Sequence, residues 1–184
     1  ITAGADLTVT NQVTSAEVAA LTIVGAGDVS LTALDASTIT VTAGSATGDL
    51  TLITGAAAEA TDPSTVDIAD VTVTLGSGGD SLNVASTADA RELSIDMGAG
   101  DDTVTLGGSL TSASATSAGD ILVGGDGTDT ISVTSAIGNG QAAYTGMSGF
   151  EAVSFSNALA AAATIANYQA GLNTVTLAAG ANAG

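Results

Sequence analysis

Apolar and hydroxyl side chains alternate along the chain in short runs, and an acidic residue stands directly before most of them. Asp6-Leu-Thr-Val-Thr, Asp28-Val-Ser-Leu-Thr and Asp49-Leu-Thr-Leu-Ile open the series. Asp70-Val-Thr-Val-Thr, Glu92-Leu-Ser-Ile-Asp and Asp120-Ile-Leu-Val-Gly continue it, at successive spacings of 22, 21, 21, 22 and 28 residues. A Ser/Ala-rich insertion over 109–118 lengthens the last interval, and Glu151-Ala-Val-Ser-Phe adds a further copy. Period-2 alternation predicts a strand with one face inward. The inward ladder is then Leu7/Val9, Val29/Leu31, Leu50/Leu52, Val71/Val73, Leu93/Ile95 and Ile121/Val123, with Thr and Ser outward.

A second strand set follows the first by about ten residues: Asp80-Ser-Leu-Asn-Val, Asp102-Thr-Val-Thr-Leu and Asp129-Thr-Ile-Ser-Val. Each repeat therefore reads strand, loop, strand, loop. A period in the low twenties makes each copy one unit that must stack on its neighbours to bury its apolar face. The pattern predicts an all-β fold, a right-handed parallel β-solenoid (β-roll or β-helix) of about 21–28-residue turns. An antiparallel sandwich of short strands joined by glycine turns satisfies the same alternation. It ranks second, because it gives no reason for Asp to recur at one phase.

Composition narrows the chemistry. Of 184 residues, 19 are acidic and one, Arg91, is basic, for a formal net charge of −18. Such a chain lacks the clustered Lys and Arg that phosphate contacts need, which excludes a nucleic-acid binder and charge-driven docking on anionic membranes. No His or Cys is present, so there is no imidazole base, no thiolate nucleophile and no ordinary zinc site. No apolar run reaches the length of a membrane helix, and no direct membrane insertion is expected. The chain opens at Ile1 and ends in Gly-rich sequence, and it reads as a piece of a longer protein. A charge this one-sided points to cations as partners.

The loops before the second strand set carry the candidate chemistry. They read Gly76-Ser77-Gly78-Gly79-Asp80, Gly98-Ala99-Gly100-Asp101-Asp102 and Gly124-Gly125-Asp126-Gly127-Thr128-Asp129. The third, extended through Ser132, matches the calcium-binding nonapeptide G-G-x-G-x-D-x-U-x at every position, with Ile131 at the apolar U. The first two match from the second glycine onward, with Leu75 and Met97 in the first slot. Glycine permits dihedrals that turn carbonyls into the gap between stacked loops, and Asp adds a carboxylate. Calcium, a hard cation that takes six to eight oxygens, suits such a gap. Three successive loops leave two gaps, so at least two Ca2+ ions are expected between them. A single copy would be no more than a glycine turn with a solvated Asp; three copies at matching phase favour the ion. In the earlier repeats, Leu34-Asp35-Ala36-Ser37 and Gly55-Ala56-Ala57-Ala58-Glu59 are expected at the same edge as ordinary connections.

These loops, followed by Gly149-Phe150-Glu151, resemble the RTX modules of calcium-dependent bacterial surface-layer proteins of the Caulobacter type. The resemblance covers residues 70–155 well and the Thr/Ala/Val-rich remainder only in style. It implies calcium ligands at Gly76, Gly78, Asp80, Gly98, Gly100, Asp102, Gly125, Gly127 and Asp129. Gly124 opens the complete copy, and Asp101 and Asp126 stand beside the set, joining the shell or adding negative potential. It also implies a chain secreted to the bacterial cell surface, where copies of itself tile into an S-layer lattice.

The expected division is 1–69 without calcium loops, 70–135 with them, and 136–184 a junction with further turns continuing into sequence beyond the chain. Tyr144, Phe150, Phe155 and Tyr168 fit packing at a lengthened turn better than a recognition patch. Residues 157–171 fit either a short helix or an Ala-rich strand. The pairs Asp67/Asp70 and Glu59/Asp62 imitate glycosidase carboxylates, but no basic group organises them, and solvated acidic loops are the better reading. The expected function is a noncatalytic, calcium-stabilised structural segment of a secreted surface-layer protein. The alternative is the RTX region of a type I-secreted enzyme, toxin or adhesin.

Overall fold

A computed structural model describes residues 1–9, 20–32, 34, 40–54, 71–84, 93–107, 119–133, 146–156 and 171–177. Among the described residues every regular element is a strand, as the alternation predicts, and no helix is long and apolar enough to cross a membrane. The strands are β1 (Thr2–Ala3), β2 (Leu7–Val9), β3 (Ala20–Thr22), β4 (Val24–Gly25), β5 (Val29–Leu31) and β6 (Thr40–Thr42). There follow β7 (Leu50–Thr54), β8 (Val71–Thr74), β9 (Ser81–Val84), β10 (Leu93–Asp96) and β11 (Thr103–Leu106). The last are β12 (Ile121–Val123), β13 (Thr130–Val133), β14 (Met147–Ser148), β15 (Ala152–Phe155) and β16 (Thr174–Leu177).

Two large sheets hold nearly all of them. One has eight strands in the order β2-β5-β7-β9-β11-β13-β15-β16, the other six in the order β3-β6-β8-β10-β12-β14, and β1 pairs with β4. Every pairing is parallel, which an antiparallel sandwich does not allow. From β5 to β15 successive strands alternate between the large sheets, so the crossover each parallel pair needs is a strand of the other sheet and its loops.

The pleat turns files of apolar residues inward in each sheet. Leu31, Leu52, Leu82, Val104, Ile131 and Val153 occupy one register position along the eight-stranded sheet. Val41, Val73, Ile95, Leu122 and Met147 do the same in the six-stranded sheet, and both files belong to a single buried cluster. Each fully buried aliphatic side chain contributes about 1.5–3 kcal/mol. No strand of three to five residues is stable alone, so the stacking of ranks holds the fold. Outside, Thr8, Ser30, Thr51, Ser81, Thr103 and Thr130 form a matching file of hydroxyls.

Three expectations change. The strand after Asp49 pairs with the strand after Asp80, not with the one after Asp70: Leu52 lies opposite Leu82, while Val73 of β8 lies opposite Val41 of β6. The 21-residue spacing from Asp49 to Asp70 therefore links two different sheets. Likewise the strand after Glu151 belongs with β13. Second, β12 is slipped by one residue against the expected phase. Ile95 pairs with Leu122, so Leu122 is buried and Ile121 is 48% exposed, the inversion that any odd slip imposes. Third, Leu7 is half-buried rather than enclosed.

Phe150 and Phe155 are fully buried, in keeping with a packing role. Tyr144, Tyr168, Arg91, Asp67, Asp70, Glu59 and Asp62 lie outside the described residues, as does 157–170, the segment expected as helix or strand. Pairing of β6 with β8 and of β7 with β9 crosses the expected 69/70 boundary, and that of β13 with β15 crosses 135/136.

Candidate metal centre

A glycine corner precedes the strands of the eight-stranded sheet. It begins earlier than expected. Ala3-Gly4-Ala5-Asp6, Gly25-Ala26-Gly27-Asp28 and Ala46-Thr47-Gly48-Asp49 stand before β2, β5 and β7 as the three calcium-type loops stand before β9, β11 and β13. The segments 35–37 and 55–59, expected at this edge, lie outside the described residues, and the corner is built without them. Adjacent corners are stitched by amides: Gly27 donates to the Ala3 carbonyl, Thr47 to Gly25, Ser77 to Ala46, Ala99 to Gly76 and Asp126 to Gly98. The backbones come so close that a Cβ on Gly100 would overlap the Gly78 carbonyl oxygen, and Gly100 also has a φ of +140°. Glycine is required there twice over, by space and by dihedral.

The acidic residues fall into two files. Asp6, Asp28 and Asp49 are exposed, and each accepts an amide from the following repeat: Asp28 N–H on Asp6 Oδ1 at 3.2 Å, Asp49 N–H on Asp28 Oδ1 at 2.9 Å, Gly79 N–H on Asp49 Oδ1 at 2.8 Å. Later corners carry one more residue between glycine and strand (Gly79, Asp101 or Thr128). Asp101, exposed, extends the first file by accepting Thr128 N–H at 2.9 Å. The extra residue moves the next carboxylate one place inward. Asp80, Asp102 and Asp129 thus take the register position that Leu7, Val29 and Leu50 fill in the early repeats.

That position is buried. Asp80 is 2% exposed, Asp102 1% and Asp129 0%. Each carboxylate reaches back to the preceding repeat: Leu50 N–H donates to Asp80 Oδ1 at 2.9 Å, Asp80 N–H to Asp102 Oδ1 at 2.7 Å, and Asp102 N–H to Asp129 Oδ1 at 2.9 Å. Glu151 ends the file by accepting Asp129 N–H on Oε2 at 2.8 Å. One oxygen of each buried Asp is therefore anchored. The other, Oδ2, is buried with no hydrogen-bond partner in all three.

Such a carboxylate is costly to ionise. Burial pushes Asp80 up to about 6; the Leu50 amide works against this, and the Asp102 charge adds to it. Burial likewise pushes Asp102 to about 6, opposed by the Asp80 amide and reinforced by Asp129 and Asp101. Asp129 is raised by burial, opposed by the Asp102 amide and reinforced by Glu151, Asp101 and Asp126. Three partly uncompensated carboxylates in one file call for positive charge.

Among the described residues no three acidic side chains converge on one point. A cation held here would complete its shell from backbone carbonyls, as the hard-oxygen preference of calcium allows. The carbonyls of Gly76 and Gly98 each accept one amide already and keep a second lone pair. The structure thus stacks Asp80, Asp102 and Asp129, and separately Gly76 with Gly98 and Gly125, and Gly78 with Gly100 and Gly127. It sets three expected residues apart. Asp101 and Asp126 are exposed, and the Asp126 carbonyl is engaged by Gly100 N–H at 2.8 Å. Gly124 belongs with Leu75 and Met97, one position before the glycine corner.

Sequence reasoning missed Glu151 as a member of the file and the early Asp corners as its forerunners. It also missed Asp120, buried in β10's neighbouring rank with Leu93 N–H on its Oδ1 at 2.9 Å. A Gly-x-Gly search allowing Ala in place of either glycine would have found the early corners. Comparison of the chain with family models, with curated proteins and with solved structures finds no match.

Proposed function

We propose that the chain is a right-handed parallel β-solenoid whose glycine corner binds calcium, serving as a noncatalytic structural segment of a secreted bacterial surface-layer protein. The observation that carries this reading is the file of Asp80, Asp102 and Asp129, each with a buried oxygen lacking a partner where earlier repeats place Leu or Val. Stacked strands lie about 4.8 Å apart, a spacing at which like charges oppose folding unless cations lie among them. The three Asp carboxylates would hold the ions, with carbonyls of the Gly76, Gly78, Gly98, Gly100, Gly124, Gly125 and Gly127 corners. Asp101 and Asp126, on the exposed side, would add negative potential. The bound ion supplies charge compensation and cross-links neighbouring repeats, so its binding free energy becomes folding free energy.

A structural role fits the chemistry at hand. The site has no thiol and no imidazole, and one oxygen of each buried carboxylate is anchored by an amide. The hydroxyl file along the eight-stranded sheet suits repeated lateral contacts between copies. Circular dichroism in calcium and in chelator, with electron microscopy of the same samples, tests the reading. Calcium-dependent strand signal with ordered sheets is the expected result. Calcium-dependent folding without sheets favours the RTX region of a secreted enzyme or toxin. Identical strand content and identical urea stability in chelator and in calcium overturn the calcium-stabilised reading.

A further inference from the structure

The last glycine corner is followed by a segment that does not spell the calcium motif, yet the acidic file runs on into it. Glu151 takes the register position of Asp80, Asp102 and Asp129, and its Oε2 accepts Asp129 N–H at 2.8 Å. Gly124 stands in line with Leu75 and Met97, both buried, and faces Gly149 of the next repeat. Where those two residues fill the corner with side chain, the carbonyl of Gly149 takes that place at Gly124. The place a Cβ on Gly124 would occupy lies 2.8 Å from Asp129 Oδ2 and overlaps the carbonyl oxygen of Gly149. That Oδ2 is fully buried and has no hydrogen-bond partner.

We infer that a divalent cation site of the calcium class lies between the 124–129 corner and the 149–151 segment, formed by Asp129 Oδ2, the Gly149 carbonyl and the Glu151 carboxylate. This rests on the calcium reading above and adds a third ion to the two between the motif-bearing corners. Gly149, with a φ of +73°, turns its backbone into the gap without a side chain in the way. Glu replaces Asp because Gly149-Phe150-Glu151 is shorter than Gly125-Asp126-Gly127-Thr128-Asp129, and the longer side chain spans the difference. Phe150, between Gly149 and Glu151 in the chain, is fully buried in the core and anchors the segment. The motif therefore undercounts the ions by one.

Calcium bound per chain, measured by titration calorimetry and by equilibrium dialysis with metal analysis, tests the site. The parent is expected to bind three ions. Glu151→Gln keeps an acceptor for the Asp129 amide but loses the charge, and it is expected to bind two while the strand signal in calcium is retained. Glu151→Asp keeps the charge on a shorter arm; it is expected to bind three, one of them at least tenfold more weakly. Two ions on the parent, or three at parent affinity on both variants, overturns the third site and leaves the calcium reading intact. No calcium on the parent overturns both. If Glu151→Gln fails to fold, the parent count together with Glu151→Asp decides.

Discussion

Replacing Asp102 by Asn separates a buried charge that needs a cation from one that is merely tolerated. Asp102 is central in the buried file: its Oδ1 accepts Asp80 N–H, its own amide donates to Asp129 Oδ1, and its Oδ2 is orphaned. An Asn side chain keeps the Oδ1 acceptor and puts an uncharged amino group where the orphaned oxygen was. The carboxyl is raised from 3.8 to about 6. At about 1.4 kcal/mol per tenfold change in proton affinity, ionising it at neutral pH costs up to about 3 kcal/mol. Its field is partly screened by the nearby solvent, so about 1–2 kcal/mol is the better figure. Asp102→Asn is therefore expected to stabilise the metal-free chain by about 1–2 kcal/mol while removing most of the added stability that calcium gives. The assay is urea denaturation followed by circular dichroism at pH 7.5, in chelator and in millimolar calcium. Where the chelated parent is already unfolded, recovery of strand signal by the variant replaces the midpoint. A variant less stable than the parent in chelator, or one with a full calcium response, refutes the reasoning.

The metal-free chain should become more stable as pH falls from 7.5 towards 4. The raised carboxyls of Asp80 and Asp102 bind protons more tightly folded than unfolded, so their contribution is complete below about 3.8 and is lost as pH rises through about 6. Calcium affinity should fall over the same interval, because protons and ions compete for the same oxygens; thermal melts and calcium titrations at four pH values check both slopes. Millimolar magnesium should not restore strand signal to chelated protein, since it demands a compact octahedron and keeps its waters; equal rescue would mean that the charge needs only screening. Gly100→Ala, with its φ of +140° and the Gly78 carbonyl in the way, should cost more than about 2 kcal/mol, whereas Gly44→Ala, whose nearest neighbour is Thr74 Cγ2 at 3.6 Å, should change the midpoint by less than about 1 kcal/mol. Parallel urea melts compare the two.

The alternation of apolar and hydroxyl residues was sufficient to find strands, because a strand's facing depends only on local pleat. It placed Leu52, Leu82, Val104 and Ile131 in the core, as observed, and turned the adjacent Thr and Ser outward, where Thr51 and Ser81 are exposed and Thr103, Thr105, Thr130 and Ser132 half-buried. The glycines of the corners were legible too, since a backbone approach that admits no Cβ leaves few other residues possible. Asp80, Asp102 and Asp129 stood out by their spacing after those glycines. Pairing was another matter. Both sheets carry the same alternation and nearly the same acidic lead-in, so the interval from Asp49 to Asp70 looked like one period although it joins β7 to a strand of the other sheet. Only the three-dimensional register separates them, because hydrogen bonds between residues 21 to 30 apart leave no mark on local composition. The same register decided that an Asp before a strand is exposed in Asp28 and buried in Asp80. One inserted residue moves the carboxylate from the solvent side to the slot of a leucine, and the burial that makes it a candidate ligand arises from the neighbouring repeats, not from its own sequence.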